Sequence, residues 1–423
     1  MPCWPNSRGI SALSRTAVLK AAVYSHERPE TQGLRGKYFN SATALRNTTA
    51  MIFRIVLCLA ALLAPCLAAA EPSLLPISPD RPMLGAAAAK GAVIWSHGAT
   101  PRPEATPHPF YLETLAAEGW DVFRLNREPA DSPKGAQAAA EQADKLRAEG
   151  YRSIVLAGQS FGGWLSLAAT ERAKIDAVIA TAPAAHGSDP ANDNWQLNAT
   201  NFYRLLERMN RTRVMLFFFA DDPFDPGGRA ARATEILKRR EMDSLIVNQP
   251  DTLRGHTVAS SAGFARAYAG CIAAFLAAPR ISSEFRCAQS GVRAANLGIP
   301  LPKNLTLASA TPDMPQQIAQ FAGFWFGHYS DGREIVLAPR RLGSDGVEAV
   351  YAFGRLNTMD KSAGASIRQG AVNDNALVFG ESGRPSLTFQ PRADGRLNAI
   401  WESPDRSVTL KGVLRRVQIQ SIQ

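Results

Sequence analysis

Three kinds of side chain, at three separate places in the chain, could together make a hydroxyl nucleophilic. The first is Ser160, in Gly158-Gln159-Ser160-Phe161-Gly162. An apolar run of strand character leads into this stretch, and a helix-like segment, Trp164 to Ala173, follows it. A tight strand-to-helix turn pushes the middle residue outward, and glycines on either side let strand and helix approach closely. The amide of Phe161 and the helix N-terminus would then face the place where an oxyanion forms. The second is His256, in Arg254-Gly255-His256-Thr257, after the last predicted strand and before the last predicted helix. Of the other histidines, His26 precedes the start proposed below, His328 lies in a second domain, and His108 and His186 lack a comparable placement. The third is a carboxylate in Phe219-Ala220-Asp221-Asp222-Pro223-Phe224-Asp225-Pro226. Asp222 is the first choice, with Asp221 and Asp225 as alternatives; Asp225 also suits a helix cap beside Gly227-Gly228. A serine that attacks, an imidazole that takes its proton and an acid that orients the imidazole make acyl-transfer chemistry. Ala99, in His97-Gly98-Ala99, is the candidate second backbone donor to the oxyanion, and the His97 side chain is read as an organiser of that loop.

The surrounding elements must bring these residues to one edge. Ala92-Val93-Ile94-Trp95 reads as a strand, Phe110 to Glu118 as a helix, and Trp120 to Leu125 as a strand. Ala136 to Glu149 is a helix stopped by Gly150, and the strand before Ser160 follows. Ile175 to Thr181 and the almost wholly apolar Val214 to Phe219 are further strands, with a polar loop (184–197) and a helix (199–209) between them. Ala230 to Arg240 (helix), Leu245 to Asn248 (strand) and Gly263 to Leu276 (helix) complete the series. Continuous apolar strands suit a parallel sheet buried on both faces. Strands alternating with helices predict a doubly wound α/β sheet over residues 85–280, with ligands at the carboxyl ends of its strands. Residues 71–88 read only as an extended, Pro- and Ala-rich stretch.

With these pieces in view, residues 85–280 resemble the α/β-hydrolase superfamily. The resemblance rests on His97-Gly98, Gly158-Gln159-Ser160-Phe161-Gly162, the acid loop around Asp222 and Gly255-His256, in the chain order Ser, Asp, His. It implies a mostly parallel sheet with helices on both sides. The short insertion between Thr181 and Val214 leaves no room for a large apolar lid, so the likeness is to the dienelactone-hydrolase-like and small esterase members, not to triglyceride lipases. Trp195, Phe202 and Tyr203 are read either as pocket lining or as packing.

The 423-residue chain carries a formal net charge of +10. Half of this sits in residues 1–50, where seven Lys/Arg face two Asp/Glu, and no run of five basic residues occurs anywhere. Dispersed charge of this kind is a solvated surface, and no nucleic-acid partner is expected. Residues 51–70 read as a signal peptide: Met51-Ile52-Phe53-Arg54, an apolar core, then Ala68-Ala69-Ala70 before Glu71. Residues 1–50 are accordingly read as an upstream mistranslation or a disordered tail. The expectation is a periplasmic or secreted protein with no stable membrane anchor after cleavage. Of five cysteines, cleavage leaves Cys271 and Cys287, which are expected to form a disulfide in an oxidising compartment.

Residues 281–318 read as a linker. From 319 to 423 short alternating runs recur, beginning with Phe324-Trp325-Phe326 and ending with Val408 to Val413, separated by turns such as Ser330-Asp331-Gly332. They predict an all-β accessory domain, an antiparallel sandwich or small barrel. Phe324-Trp325-Phe326 is either a ligand platform or a core plug. The functional expectation is a serine hydrolase cleaving a small-molecule ester, carboxylesterase-like, through Ser160, Asp222 and His256, with no cofactor and no metal. The alternatives are a peptidase or amidase on the same fold, and a binding protein whose β domain holds a polymer, glycan or apolar ligand.

Overall fold

The computed structural model describes residues 72–100, 106–127, 132–186, 194–250, 252–281, 285–287 and 299–418. The readings made for 1–50 and for the signal at 51–70 lie outside these residues.

Seven strands form the first sheet: β1 (Ser73–Pro76), β2 (Ala92–Ser96), β3 (Asp121–Asn126), β4 (Ile154–Gln159), β5 (Ala177–Thr181), β6 (Arg213–Phe218) and β7 (Ser244–Asn248). They are ordered β1-β3-β2-β4-β5-β6-β7. Every neighbouring pair is parallel except β1 with β3. The stretch read as merely extended thus contributes an antiparallel edge strand, whose side chains are largely exposed.

Alternate residues of each central strand feed two cores, as the two-residue period of a strand requires. Ile94, Leu156, Val178, Val214, Leu216 and Phe218 face one side. There they meet α2 (Ser132–Ala148), α3 (Phe161–Ala169), α4 (Asn194–Arg208) and α5 (Ala230–Arg239). Val93, Trp95, Val155, Ile179, Met215 and Phe217 face the other, against α1 (Phe110–Ala117) and α6 (Ala262–Ala277). Both faces are therefore dry, which is why these strands read as unbroken apolar runs. Helix α4 starts at Asn194, inside the segment read as a polar loop. Its Asn198 is buried and accepts from the amides of Ala185 and His186 at 2.9 and 2.8 Å. Phe202 and Tyr203 on the same helix pack onto the core, and Trp195 packs against Gly227.

Cys271, on α6, is bonded to Cys287, with Cα atoms 5.3 Å apart. Among the described residues no helix is long and apolar enough to cross a membrane.

The C-terminal residues form a closed antiparallel barrel of eight strands: β8 (Phe324–Tyr329), β9 (Glu334–Gly343), β10 (Gly346–Phe353), β11 (Gly364–Asn373), β12 (Ala376–Phe379), β13 (Ser386–Pro391), β14 (Leu397–Glu402) and β15 (Thr409–Val417). Each pairs with its sequence neighbour, and β15 pairs with β8 to close the ring. A short helix, α7 (Gln316–Ala319), precedes it. The lumen is filled by Phe321, Trp325, Tyr329, Leu337, Tyr351, Phe379 and Phe389 among others. Phe324 and Phe326 point outward, yet are buried beneath Ile299, Leu301, Leu305 and Leu307 of the segment before the barrel. Phe324-Trp325-Phe326 is therefore packing on both faces of the wall, and the ligand-platform reading is set aside.

Candidate active site

Ser160 sits between the end of β4 and the start of α3 with φ 56° and ψ −123°. A non-glycine residue holds such backbone only when its surroundings impose it. Here they do. The amide of Ser160 donates to Thr181 O at 2.9 Å, and its carbonyl accepts from Ala184 N at 3.1 Å. The turn also demands close approach: a Cβ on Gly162 would lie 1.9 Å from Ser96 O, and one on Gly158 would lie 2.2 Å from the backbone of Gly162. Only glycine fits at either place, so the spacing Gly-x-Ser-x-Gly is a packing requirement as well as a pattern.

The Oγ of Ser160 lies 2.7 Å from His256 Nε2. On the other side of the ring, His256 Nδ1 is 2.9 Å from Asp222 Oδ1. A carboxylate only accepts, so Nδ1 carries the ring hydrogen and Nε2 is left to accept from the serine hydroxyl. The ring of Phe224 stacks on the imidazole, centroids 4.0 Å apart, and its amide donates to the same Asp222 oxygen at 2.9 Å. Asp222 is buried, so its charge is spent on these two donors.

The three aspartates of the acid loop are separated by their partners. Asp221, with φ 58°, turns outward and pairs with Arg254 at 2.6 Å. Asp225 is buried and pairs with Arg229 at 3.1 Å; it does not cap α5, whose N-cap is Arg229 itself. Only Asp222 reaches the imidazole.

Phe161 is the first residue of α3, where an amide has no intrahelical acceptor. The loop after β2 lies directly opposite: a Cβ on Gly98 would be 3.4 Å from that of Ser160. Two hydrogen bonds fix the peptides of this loop. His97 Nδ1 donates to Gly98 O at 2.7 Å, and the Arg127 guanidinium donates to His97 O. In a trans peptide the N–H points opposite to the C=O, so holding the Gly98 carbonyl also fixes the direction of the Ala99 amide. Ala99 itself is exposed. Burial, then the charge of Arg127, lowers the His97 pKa to about 4, so the ring is neutral and works as an organiser. Arg127 also lies over the Phe161 ring, 5.3 Å from its centroid. It therefore braces both sides of the candidate oxyanion position.

Sequence reasoning missed Gln159, Phe224 and Arg127. Gln159 stands inside the serine motif and donates to His256 O at 2.9 Å, while nothing in the sequence marks Arg127.

At the level of fold, the chain is α/β-hydrolase-like. The mostly parallel sheet with helices on both faces is what the resemblance implied, and the strained serine turn at its carboxyl edge is what the spacing of Gly158, Ser160 and Gly162 predicted. No protein-family model matches the sequence, and no curated protein matches it. Solved structures do. An acylaminoacyl peptidase from Pyrococcus horikoshii is 13% identical, with a TM-score of 0.37, over 51% of this chain and 43% of that one. An esterase from Pyrococcus furiosus is 14% identical, with a TM-score of 0.37, over 44% of this chain and 81% of that one. A puromycin-hydrolyzing peptidase from Mycobacterium tuberculosis is 16% identical, with a TM-score of 0.32, over 44% of this chain and 37% of that one. The chain spans less than half the length of either peptidase, and at such identities a likeness says nothing of substrate.

Proposed function

We propose that the protein is a serine hydrolase that cleaves small carboxylic esters through an acyl-enzyme. The observation that carries this reading is the unbroken relay from Ser160 Oγ through His256 to Asp222, at 2.7 and 2.9 Å. In the first step Ser160 Oγ attacks the ester carbonyl carbon while His256 Nε2 takes the hydroxyl proton. The tetrahedral oxyanion is held by the amides of Phe161 and Ala99. As the C–O bond breaks, His256 returns the proton to the departing alcohol. Water then enters, His256 Nε2 takes one of its protons, and the hydroxide adds to the acyl carbon. As the bond between the acyl carbon and Ser160 Oγ breaks, His256 returns that proton to Oγ, which frees the acid and restores Ser160. Asp222 stays ionised throughout and offsets the charge of the imidazolium.

The barrel gives no support to a ligand-holding module, because its lumen is occupied by side chains. A periplasmic or secreted location is in keeping with the Cys271–Cys287 disulfide.

The test is a matched panel of p-nitrophenyl esters and p-nitroanilides on wild type and Ser160→Ala. Turnover of the esters that is lost in the variant supports the reading. Preferential cleavage of the anilides would move the protein to the amidase class, and equal turnover by the variant would remove Ser160 from the chemistry.

A further inference from the structure

The barrel meets the sheet domain at the loop that carries His256. Gly255, with φ 89°, would place a Cβ 2.2 Å from Ser330 O, in the turn between β8 and β9. The backbone just before the imidazole is thus pressed against the barrel's own backbone. On the other side of His256, Gly332 of the same turn, with φ 91°, would place a Cβ 3.1 Å from Val258 Cα and 3.2 Å from Ser261 Cβ. Ser261 is the N-cap of α6 and accepts from Phe264 N at 3.1 Å. Upstream, Thr252 Oγ1 is 3.0 Å from Nδ1 of His328, a buried ring that sits on Gly263 at the start of α6. One position past the turn, buried Glu334 pairs with Arg266 of the same helix. Barrel contacts therefore fall at positions 252, 255, 258 and 261, on both sides of residue 256.

The turn that makes these contacts is itself stiff. Gly332 N donates to Tyr329 O at 2.8 Å, Tyr329 N to Arg333 O at 2.9 Å, and Ser330 N to Lys411 O at 2.7 Å. Asp331 Oδ1 accepts from Arg333 N at 2.9 Å. A stiff turn against a loop with two tight glycine contacts leaves that loop little freedom.

We propose that the barrel segment His328–Arg333 is a positioning element for His256, which makes the barrel part of the catalytic unit and not an appended module. This rests on the reading of Ser160, Asp222 and His256 as a triad. Displacing a catalytic group by about 1 Å can cost on the order of a hundredfold in rate, so a wall that fixes the imidazole has a direct effect on turnover.

The test compares two valine substitutions in the full chain. Gly332→Val forces a β-branched side chain against Val258. Gly383→Val, in the turn between β12 and β13, imposes the same kind of backbone strain, since φ there is 74°, but faces open space. Two experiments are made: steady-state kinetics on a small ester, giving kcat and KM, and NMR of the His256 Nδ1–H proton that is bonded to Asp222, on 15N-histidine-labelled protein. Gly332→Val is expected to lower kcat roughly ten- to a hundredfold with little change in KM. It should also move the His256 Nδ1–H resonance upfield as the bond to Asp222 loosens, while Gly383→Val moves neither. A folded Gly332→Val with wild-type kcat and an unmoved His256 Nδ1–H resonance would overturn the proposal, as would equal losses in both variants. If Gly332→Val does not fold, Thr252→Val removes the His328 contact without changing side-chain shape. A several-fold loss of kcat, restored by Thr252→Ser, supports the proposal; wild-type kcat in Thr252→Val sinks it. The NMR resonance reads His256 even without turnover. A shift in Gly332→Val in a protein that hydrolyses no ester would keep the positioning contact and discard the hydrolase reading instead.

Discussion

The side-chain amide of Gln159 donates to the backbone carbonyl of His256 at 2.9 Å, across 97 positions of sequence. The residue before the nucleophile thus holds the main chain of the base. Gln159→Leu keeps the bulk and removes the donor. The expected result is a fall in kcat of about tenfold with KM near wild type, because the imidazole loosens while the substrate pocket stays. Steady-state kinetics on a small chromogenic ester measure it.

The acid loop yields a graded prediction. Asp222→Asn should lower kcat by up to about 10⁴-fold with the fold intact, since an amide in that place no longer holds the imidazole tautomer. Asp225→Asn leaves Arg229 buried beside a neutral partner and should cost about 3 kcal/mol of stability, read from urea midpoints, with kcat of the folded fraction kept. Asp221→Asn breaks a pair whose carboxylate is 60% exposed and should cost less than about 1 kcal/mol.

Legibility followed burial. Strands β2 and β6 could be read almost residue by residue because apolar cores cover both of their faces. Strand β11 could not. On the side where Arg368 is buried it carries Gly364, Ser366, Arg368, Gly370 and Val372, so no apolar alternation marks it. Strand β1 is short, exposed and antiparallel, and has no apolar period. The serine turn was legible because steric need restricts it to glycine at two places. The acid was legible only to within three aspartates, and what separates them is the partner each finds: Arg254, His256 or Arg229. The contact between the barrel and the His256 loop left no trace, since its tightest approaches are made by glycines and backbone atoms, and the Thr252–His328 and Arg266–Glu334 pairs beside them join residues too far apart in sequence to form a pattern.

Acid should destabilise the protein through its buried histidines. The His97 pKa is lowered to about 4 by burial and by Arg127, and the His328 pKa to about 3 by burial and by Arg266. Both lie below the ordinary value of 6.5. The unfolded chain therefore takes up protons first, and stability falls as pH drops from about 6.5 through 4. Urea midpoints at pH 7, 5.5 and 4.5 should decline stepwise, and His97→Asn should flatten that decline.

The disulfide closes a loop whose ends are 16 positions apart. Chain-entropy arguments put its contribution at about 3 kcal/mol. The double substitution Cys271→Ser with Cys287→Ser should lower the urea-derived stability by that amount. Activity at 25 °C should persist, because neither cysteine lies in the relay.

The central claim is that the hydroxyl of Ser160 is made nucleophilic by His256. The most direct measurement is covalent labelling by a fluorophosphonate, with the adduct located by peptide mass spectrometry. A single adduct on Ser160, absent in Ser160→Ala and lost or greatly slowed in His256→Ala, is the predicted result. An unlabelled wild-type protein that is demonstrably folded, or an adduct that forms on Ser160 at the same rate without His256, would contradict the account.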